Sequence, residues 1–243
     1  MKENKYDDNE FFQKYSEMER SKKGLDGAGE WHVLKEMFPD FKDKRVLDLG
    51  CGYGWHCIYA VEQGANSATG IDISEKMLQK AENMTKSDRI TYKKQPIEDI
   101  DFPKGSFDIV ISSLAFHYVE SFDSICKKIR DVLTTGGSFV FSVEHPVFTA
   151  YGTEDWYYDS NGEILHWPVD NYFTEGKRKT SFLWENVSKY HKTLTTYLST
   201  ILKHGFEIVD IQEPMPEESM LSIPGMEDEL RRPMMLLISA RRK

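Results

Sequence analysis

The chain has 243 residues, with 31 Lys and Arg against 40 Asp and Glu and a formal net charge of -9. That length buries one sizeable core, and the acidic balance argues against a surface built to neutralise phosphates, so no nucleic-acid partner is expected. The apolar run MMLLISA is far too short to cross a bilayer and the opening MKENKYDDNEFF has no apolar leader core, so a cytoplasmic protein without a membrane partner is expected.

In chain order, Phe11, Phe12, Tyr15 and Met18 recur at helical spacing and stop before Gly24, which makes residues 1–43 an N-terminal helical cap. From Arg45 onward, short apolar runs alternate with amphipathic segments of helix length: RVLDLG, SATGIDIS, RITYKK, FDIVISSLAF and SFVFSVEHP. Such alternation indicates βαβ units and a mostly parallel sheet with helices on both faces. Ser74 is placed to cap a helix over EKMLQKAENM, and Ile125, Ile129, Val132 and Leu133 form a helical stripe that should stop at Gly136-Gly137. Cys51, Cys57 and Cys126 lack paired CxxC spacing, so reduced buried thiols and no metal are expected.

Residues 146–186 fit neither period and are rich in aromatics, as in DWYYD and HWPVDNYF, which suits a lid insertion over a pocket rather than a disordered segment. Within it, Lys177, Arg178 and Lys179 read as a solvated loop. Val187, Tyr190, Leu194, Tyr197, Leu198 and Ile201 then recur at helical spacing up to Gly205, and FEIVDI and MMLLISA read as two final strands. Their long polar link favours an antiparallel pair. The expected fold is therefore a single α/β domain over 1–243: a doubly wound, Rossmann-like, seven-stranded, mostly parallel sheet whose last strand is reversed. Residues 44–145 form its cofactor-binding core, and 187–243 supply a helix and hairpin that complete the sheet.

Gly50, Gly52 and Gly54 sit in the first strand-to-helix turn, at the edge where open α/β sheets bind ligands. Three glycines at alternate positions suggest backbone pressed against a bound molecule, and the following helix start suits an anionic group. The spacing is GxGxG rather than the dinucleotide GxGxxG. Asp72, at the end of the second strand, is where a carboxylate can accept both hydroxyls of a ribose.

VLDLGCGYG followed by GIDIS resembles the first two motifs of the class I S-adenosylmethionine-dependent methyltransferases, and FDIVISSLAFHYV followed by LTTGGSFVFS resembles their later motifs. The resemblance covers roughly residues 44–144 and is nearest to the bacterial small-molecule, type 11-like group. It implies S-adenosylmethionine as cofactor, with Gly50, Cys51, Gly52 and Gly54 along its methionine half, Asp48 holding the amino end, Asp72 on the ribose and Ile73 on the adenine. Many relatives place an acidic residue after the third strand where Pro96 stands here, so the adenine contact falls to Gln95, Pro96 itself, the backbone near Ile97, or Glu98. Ser112 and Phe116 at the fourth strand, and Tyr15 and Arg20 in the opening segment, complete the candidate cofactor set.

Methyl transfer from a sulfonium is an in-line displacement in which positioning and water exclusion can do most of the work, with no metal or covalent intermediate required. Aromatic faces stabilise the sulfonium, and Tyr53, Trp55, Phe116 and His117 are candidates. An amine or hydroxyl acceptor needs a base in reach. His145 is the first candidate, then His117, Glu144 and His191. The expected activity is transfer of a methyl group to a small, aromatic or apolar acceptor. A nicotinamide-dependent oxidoreductase, disfavoured by the glycine spacing, and a non-catalytic cofactor-binding module are the alternatives. No NPPY-like motif stands at SSLAFHY, which counts against nucleic-acid base methylation.

Overall fold

The computed structural model describes residues 4–243. In chain order its strands are β1 (Arg45–Leu49), β2 (Ser67–Asp72), β3 (Ile90–Lys94), β4 (Phe107–Ser113), β5 (Leu133–Glu144), β6 (Tyr157–Tyr158), β7 (Ile164–His166), β8 (Gly176–Phe182), β9 (Glu185–His191), β10 (Phe206–Gln212) and β11 (Met235–Arg242). The helices are α1 (Asn9–Ser16), α2 (Glu19–Lys22), α3 (Trp31–Leu34), α4 (Trp55–Glu62), α5 (Glu75–Met84), α6 (Phe122–Val132), α7 (Pro146–Thr149) and α8 (Leu194–Lys203).

Seven strands form one sheet in the order β10-β11-β5-β4-β1-β2-β3. The pairs among β1 to β5 are parallel, whereas β11 runs antiparallel to both β5 and β10. This is the expected Rossmann-like sheet with its last strand reversed. The order turns back at β1, so a crevice opens between the carboxyl ends of β1 and β4.

Both faces of the sheet are covered, which is why its central strands read as unbroken apolar runs. Alternate side chains serve opposite layers: Leu47, Val110 and Phe141 pack with α6 and α8, while Val46, Ile109 and Ile111 pack with α4 and α5. Ile125, Ile129 and Val132 of α6 are buried in the first layer, each contributing about 2 kcal/mol of transfer free energy. Ser74 caps α5, its Oγ accepting from Met77 N at 3.2 Å. The three cysteines are free and buried.

Three local expectations need correction. The α6 stripe ends at Val132: Leu133 already pairs with Phe107 as the first residue of β5, and Gly136 and Gly137 lie inside that strand. Gly137 is required there for close approach, since a Cβ would stand 2.8 Å from Thr134 O and 3.0 Å from Asp108 O. Val187 and Tyr190 belong to β9, not to the following helix, which begins at Leu194 with Thr193 Oγ1 accepting from Thr196 N at 3.1 Å. Lys177, Arg178 and Lys179 form part of β8, and Arg178 donates to Ala150 O, Asn171 O and Thr174 O.

Residues 146–191 thus hold α7 and two hairpins, β6–β7 and β8–β9. Among the described residues no helix is long and apolar enough to cross a membrane, and no group of three or more His, Cys, Asp or Glu could hold a metal ion.

Candidate functional site

The glycine turn joins β1 to α4 with all three glycines at positive φ: 75° at Gly50, 52° at Gly52 and 76° at Gly54. Gly50 N and Cys51 N donate to Ile71 O at 2.9 and 3.0 Å, tying the turn to β2. The three glycines have different reasons to be glycine. A Cβ on Gly50 would stand 2.6 Å from Ala115 Cβ, and one on Gly54 would strike the Tyr92 ring, so both are packed against protein. Only at Gly52 would a Cβ meet nothing within 4 Å. Protein therefore excludes a side chain at Gly50 and Gly54, whereas at Gly52 the Cβ direction is open.

Asp72 ends β2 with each carboxylate oxygen holding one backbone amide: Gly52 N donates to Oδ2 at 2.9 Å and Ser74 N to Oδ1 at 2.8 Å. A carboxylate has about four acceptor positions, so roughly two remain. Asp48 is 1% exposed; its Oδ2 accepts from Cys57 Sγ at 3.7 Å and its Oδ1 has no partner. Burial pushes the Asp48 carboxyl up to about 7. Burial also raises the Asp72 carboxyl, with the Ser74 and Gly52 amides opposing.

The opening segment lies across this edge. Asp7 Oδ1 accepts from Ser74 Oγ at 2.6 Å and Lys76 N at 3.1 Å, docking the chain on the start of α5. Tyr6 packs edge-on against Phe11, Tyr15 and Tyr118, and Tyr53 of the glycine turn packs against Phe12 and Tyr15. Arg20 donates to Glu30 Oε1 at 3.2 Å, which also accepts from Ser113 Oγ at 3.1 Å, while Glu30 Oε2 is buried without a partner. Burial raises the Tyr15 phenol; Arg20 opposes that shift, and the charges of Asp72 and Glu30 add to it. Trp55 lies against Gly24.

The remaining cofactor candidates divide by position. Ile73 and Pro96 are half-buried at the ends of β2 and β3. Gln95 N donates to Asp72 O at 2.8 Å while its side chain donates to Asp99 O at 2.6 Å, and Ile97 borders Gly50. Ser112 is fully buried, its Oγ donating to Leu49 O at 2.8 Å, which fixes β4 against β1. Phe116 is 0% exposed among Phe122, Phe139 and Phe141, so it is a core residue and offers no face to a ligand.

The histidines are mostly committed elsewhere. His191 uses both ring nitrogens, Nδ1 with Thr149 Oγ1 and Nε2 with Tyr172 O, each at 2.8 Å, so no lone pair is left for a base. It sits on β9 rather than beside the late helix. His145 caps α7, its Nδ1 accepting from Val147 N at 3.0 Å, with Nε2 2.7 Å from Glu213 Oε1. His117 lies deep at the end of β4, its Nδ1 3.5 Å from Glu144 N and its Nε2 3.9 Å from Glu144 Oε1. Burial pushes the His117 imidazole down to about 4, leaving it neutral at pH 7.

Sequence reasoning missed the buried ions beside it. Lys189 Nζ bridges Glu144 Oε1 at 2.5 Å and Glu154 Oε2 at 2.6 Å, with side chains 2%, 14% and 5% exposed. Lys189 and Glu154 read as ordinary surface charges in sequence, since only the strand's inward alternation, Val187, Lys189, His191, reveals that face.

The orphaned Asp48 Oδ1, the spare acceptor positions of Asp72 and the open side of Gly52 suit a ligand that brings a cation and paired hydroxyls to the turn. Residues 47–141 match the family model described as a methyltransferase domain. The chain is similar to a Listeria monocytogenes protein assigned to the S-adenosylmethionine-dependent methyltransferases, at 56% identity and a TM-score of 0.87 over 90% of this chain and 99% of that one. It is similar to an S-adenosylmethionine-dependent methyltransferase from Mesorhizobium loti at 42% identity and a TM-score of 0.83, over 90% of this chain and 100% of that one. An uncharacterized protein of Haemophilus influenzae is 32% identical over 98% of this chain and 96% of its own length. Glycine turn, acidic pair, sheet order and full-length likeness agree: the chain belongs to the class I S-adenosylmethionine-dependent methyltransferases, with S-adenosylmethionine as its cofactor.

Proposed function

We propose that the protein methylates a small-molecule acceptor held between the glycine turn and the aromatic-rich residues 146–191. The observation that carries this reading is that the crevice is covered from two sides. The opening segment docks through Asp7 on α5, and the β8–β9 hairpin meets it where Phe182 packs on Phe11, ring centroids 6.0 Å apart, with Lys5 and Lys14 each 3.8 Å from Glu185. A covered crevice excludes water and favours an acceptor small enough to be enclosed.

The bound cofactor supplies an electrophilic methyl group on a sulfonium cation. In this reading Asp72 accepts the ribose hydroxyls on the lone pairs its two amides leave, and Asp48 Oδ1 takes the amino end, gaining the partner it lacks. Gly52 leaves room for the methionine half. Gln95, Pro96, Ile97 and Ile73 flank the adenine, and Tyr15 with Tyr53 forms an aromatic wall near the cation. Arg20 acts at one remove, by holding Glu30. The remaining work is positioning, with the acceptor's reacting atom brought in line behind the methyl group.

None of the three histidines is proposed as a base: His191 has both nitrogens occupied, His145 caps a helix, and His117 is neutral but too weakly basic.

Incubation with methyl-labelled S-adenosylmethionine and a whole metabolite extract, followed by separation of small molecules from macromolecules, tests the acceptor class. Label in the small-molecule fraction is expected. Label confined to protein or nucleic acid overturns the small-molecule reading, and binding of cofactor without transfer to either fraction favours the non-catalytic alternative.

A further inference from the structure

We propose that the cleft between the aromatic insertion and the link from β10 to β11 is a second ligand site, separate from the glycine turn, and that it takes an aromatic carboxylate.

The cleft has a volume of about 360 Å³, in the range of small-molecule sites, and is lined by Val147, Trp156, His166, Trp167, Val169, Arg231, Arg232 and Pro233. The first five belong to the insertion and the last three lead into β11. Met234 O accepts from His145 N at 2.9 Å, which anchors the link beside the start of α7. The strand order puts β11 three places from β1, so about 14 Å of sheet separates this cleft from the cofactor edge. The site therefore stands independently of the methyl-transfer reading.

Its walls are aromatic and fixed in place. Trp167 Nε1 donates to Val147 O at 3.2 Å, and the Trp167 ring stacks on Phe148 with centroids 4.9 Å apart. Trp156 stands edge-on to Trp167 at 5.1 Å. Both indoles remain half-buried at the cleft, which leaves apolar surface for a planar ring to cover. The ionisable groups of the lining are Arg231, Arg232 and His166, and no carboxylate lines it. In a chain of net charge -9 that is a local reversal of sign, and it favours an anion over a cation.

The two arginines have different work. Arg232 is 9% exposed, is held by both oxygens of Glu229 at 2.6 and 3.0 Å, and lies against Phe148, Trp156 and Trp167. Its charge is largely spent on Glu229. Its Nε is buried with no acceptor, so the wall also holds a surplus donor. Arg231 is exposed, with its guanidinium carbon 5.0 Å from the Trp156 ring centroid. Nη2 donates to Leu165 O at 2.8 Å and Nη1 to Asp228 Oδ1 at 3.2 Å, so three of its five N–H groups are left among the described residues. The Asp228 contact is a surface ion pair, which contributes little and gives way to a better-placed anion. Trp156 and Leu165 orient the guanidinium beforehand, and its planar fork matches a carboxylate. One uncommitted arginine balances one negative charge, which favours a carboxylate over a dianionic phosphate.

Calorimetry with 2-naphthoate, 2-naphthylmethanol, 2-naphthylmethylamine and 2-naphthyl phosphate, on protein with and without S-adenosylhomocysteine, tests the proposal. The carboxylate should bind with a Kd below about 1 mM, at least about tenfold tighter than the other three, and equally well in both states. Arg231→Gln should weaken 2-naphthoate at least about tenfold while Tm and cofactor affinity stay unchanged, because the side chain is exposed and far from the turn. Trp156→Leu should weaken the carboxylate and the alcohol together. Equal binding of the alcohol, tighter binding of the amine or the phosphate, or no carboxylate binding overturns the proposal. So does affinity indifferent to Arg231→Gln, or displacement of 2-naphthoate by S-adenosylhomocysteine, which would place it at the cofactor edge. Normal 2-naphthoate binding by protein that fails to bind S-adenosylhomocysteine would overturn the methyl-transfer reading and leave this site standing.

Discussion

The two ends of the crevice are built by different means. At the β1–β2 edge, Asp48, Gly52 and Asp72 are set by backbone: parallel pairing of Asp48 with Gly70 and Leu49 with Ile71 brings the two strand ends together, and Gly52 and Ser74 amides aim Asp72. At the β4–β5 edge, Lys189 lies 45 positions from Glu144 and 35 from Glu154 in sequence and meets both through side chains alone. The first edge is a local property of a strand-turn-helix, suited to a cofactor shared by a family. The second depends on how residues of an insertion fold back on the core sheet.

The largest effect should come from breaking the second edge. Lys189→Met leaves two buried carboxylates facing each other and should cost about 3–5 kcal/mol near pH 8 by chemical denaturation. The folded-state pKa values of both carboxyls then lie above their unfolded values. Stability is therefore present at low pH and lost as pH rises through those values, so denaturation at about pH 5 should recover much of the deficit.

Breaking the first edge should act on ligand more than on fold. Asp72→Ala removes the acceptor for Gly52 N and Ser74 N together with the proposed ribose contact, and S-adenosylmethionine affinity by calorimetry should fall about 100-fold, or about 2.7 kcal/mol.

Asp48→Asn separates stability from binding at one residue. The folded carboxyl, at about 7, lies above its unfolded value, so it disfavours the folded state as pH rises through about 7. The ligand-free variant should therefore be more stable than the wild type above that pH, by about 2 kcal/mol, and no different near pH 4. Its cofactor affinity should fall, and the proton that the wild type releases on binding near pH 7 should disappear when calorimetry is repeated in buffers of different ionisation enthalpy.

The smallest contrast lies within the turn. Gly52→Ala meets open space and should cost only the left-handed backbone penalty, about 1 kcal/mol, while weakening the cofactor. Gly54→Ala strikes Tyr92 and should cost more stability by thermal denaturation.

Much of the fold was legible because local pattern and global role coincide: the central strands are apolar on both faces, Ser74 caps where it should, and Gly205 stops α8. The β8–β9 hairpin was not. Its two-residue turn, Leu183-Trp184, takes φ 55° and 61° without the glycine or asparagine that usually marks such turns, and Trp184 at its tip is 85% exposed. Its inward face carries Lys189 and His191, so apolar alternation fails and Val187 and Tyr190 align by chance with the helix that follows. His145, His117 and His191 drew attention as candidate bases by residue type, but helix capping and burial assign them other work.

The amino-acid sequence by itself determined the sheet, the glycine turn and the acidic residues at the ends of β1 and β2, because hydrophobic period, glycine backbone freedom and cap chemistry act within a few residues. Only the tertiary structure decided which glycine faces open space, which aromatic belongs to the core, and that one lysine is enclosed by two carboxylates. Those outcomes depend on burial and on contacts between distant segments, and no local pattern encodes them.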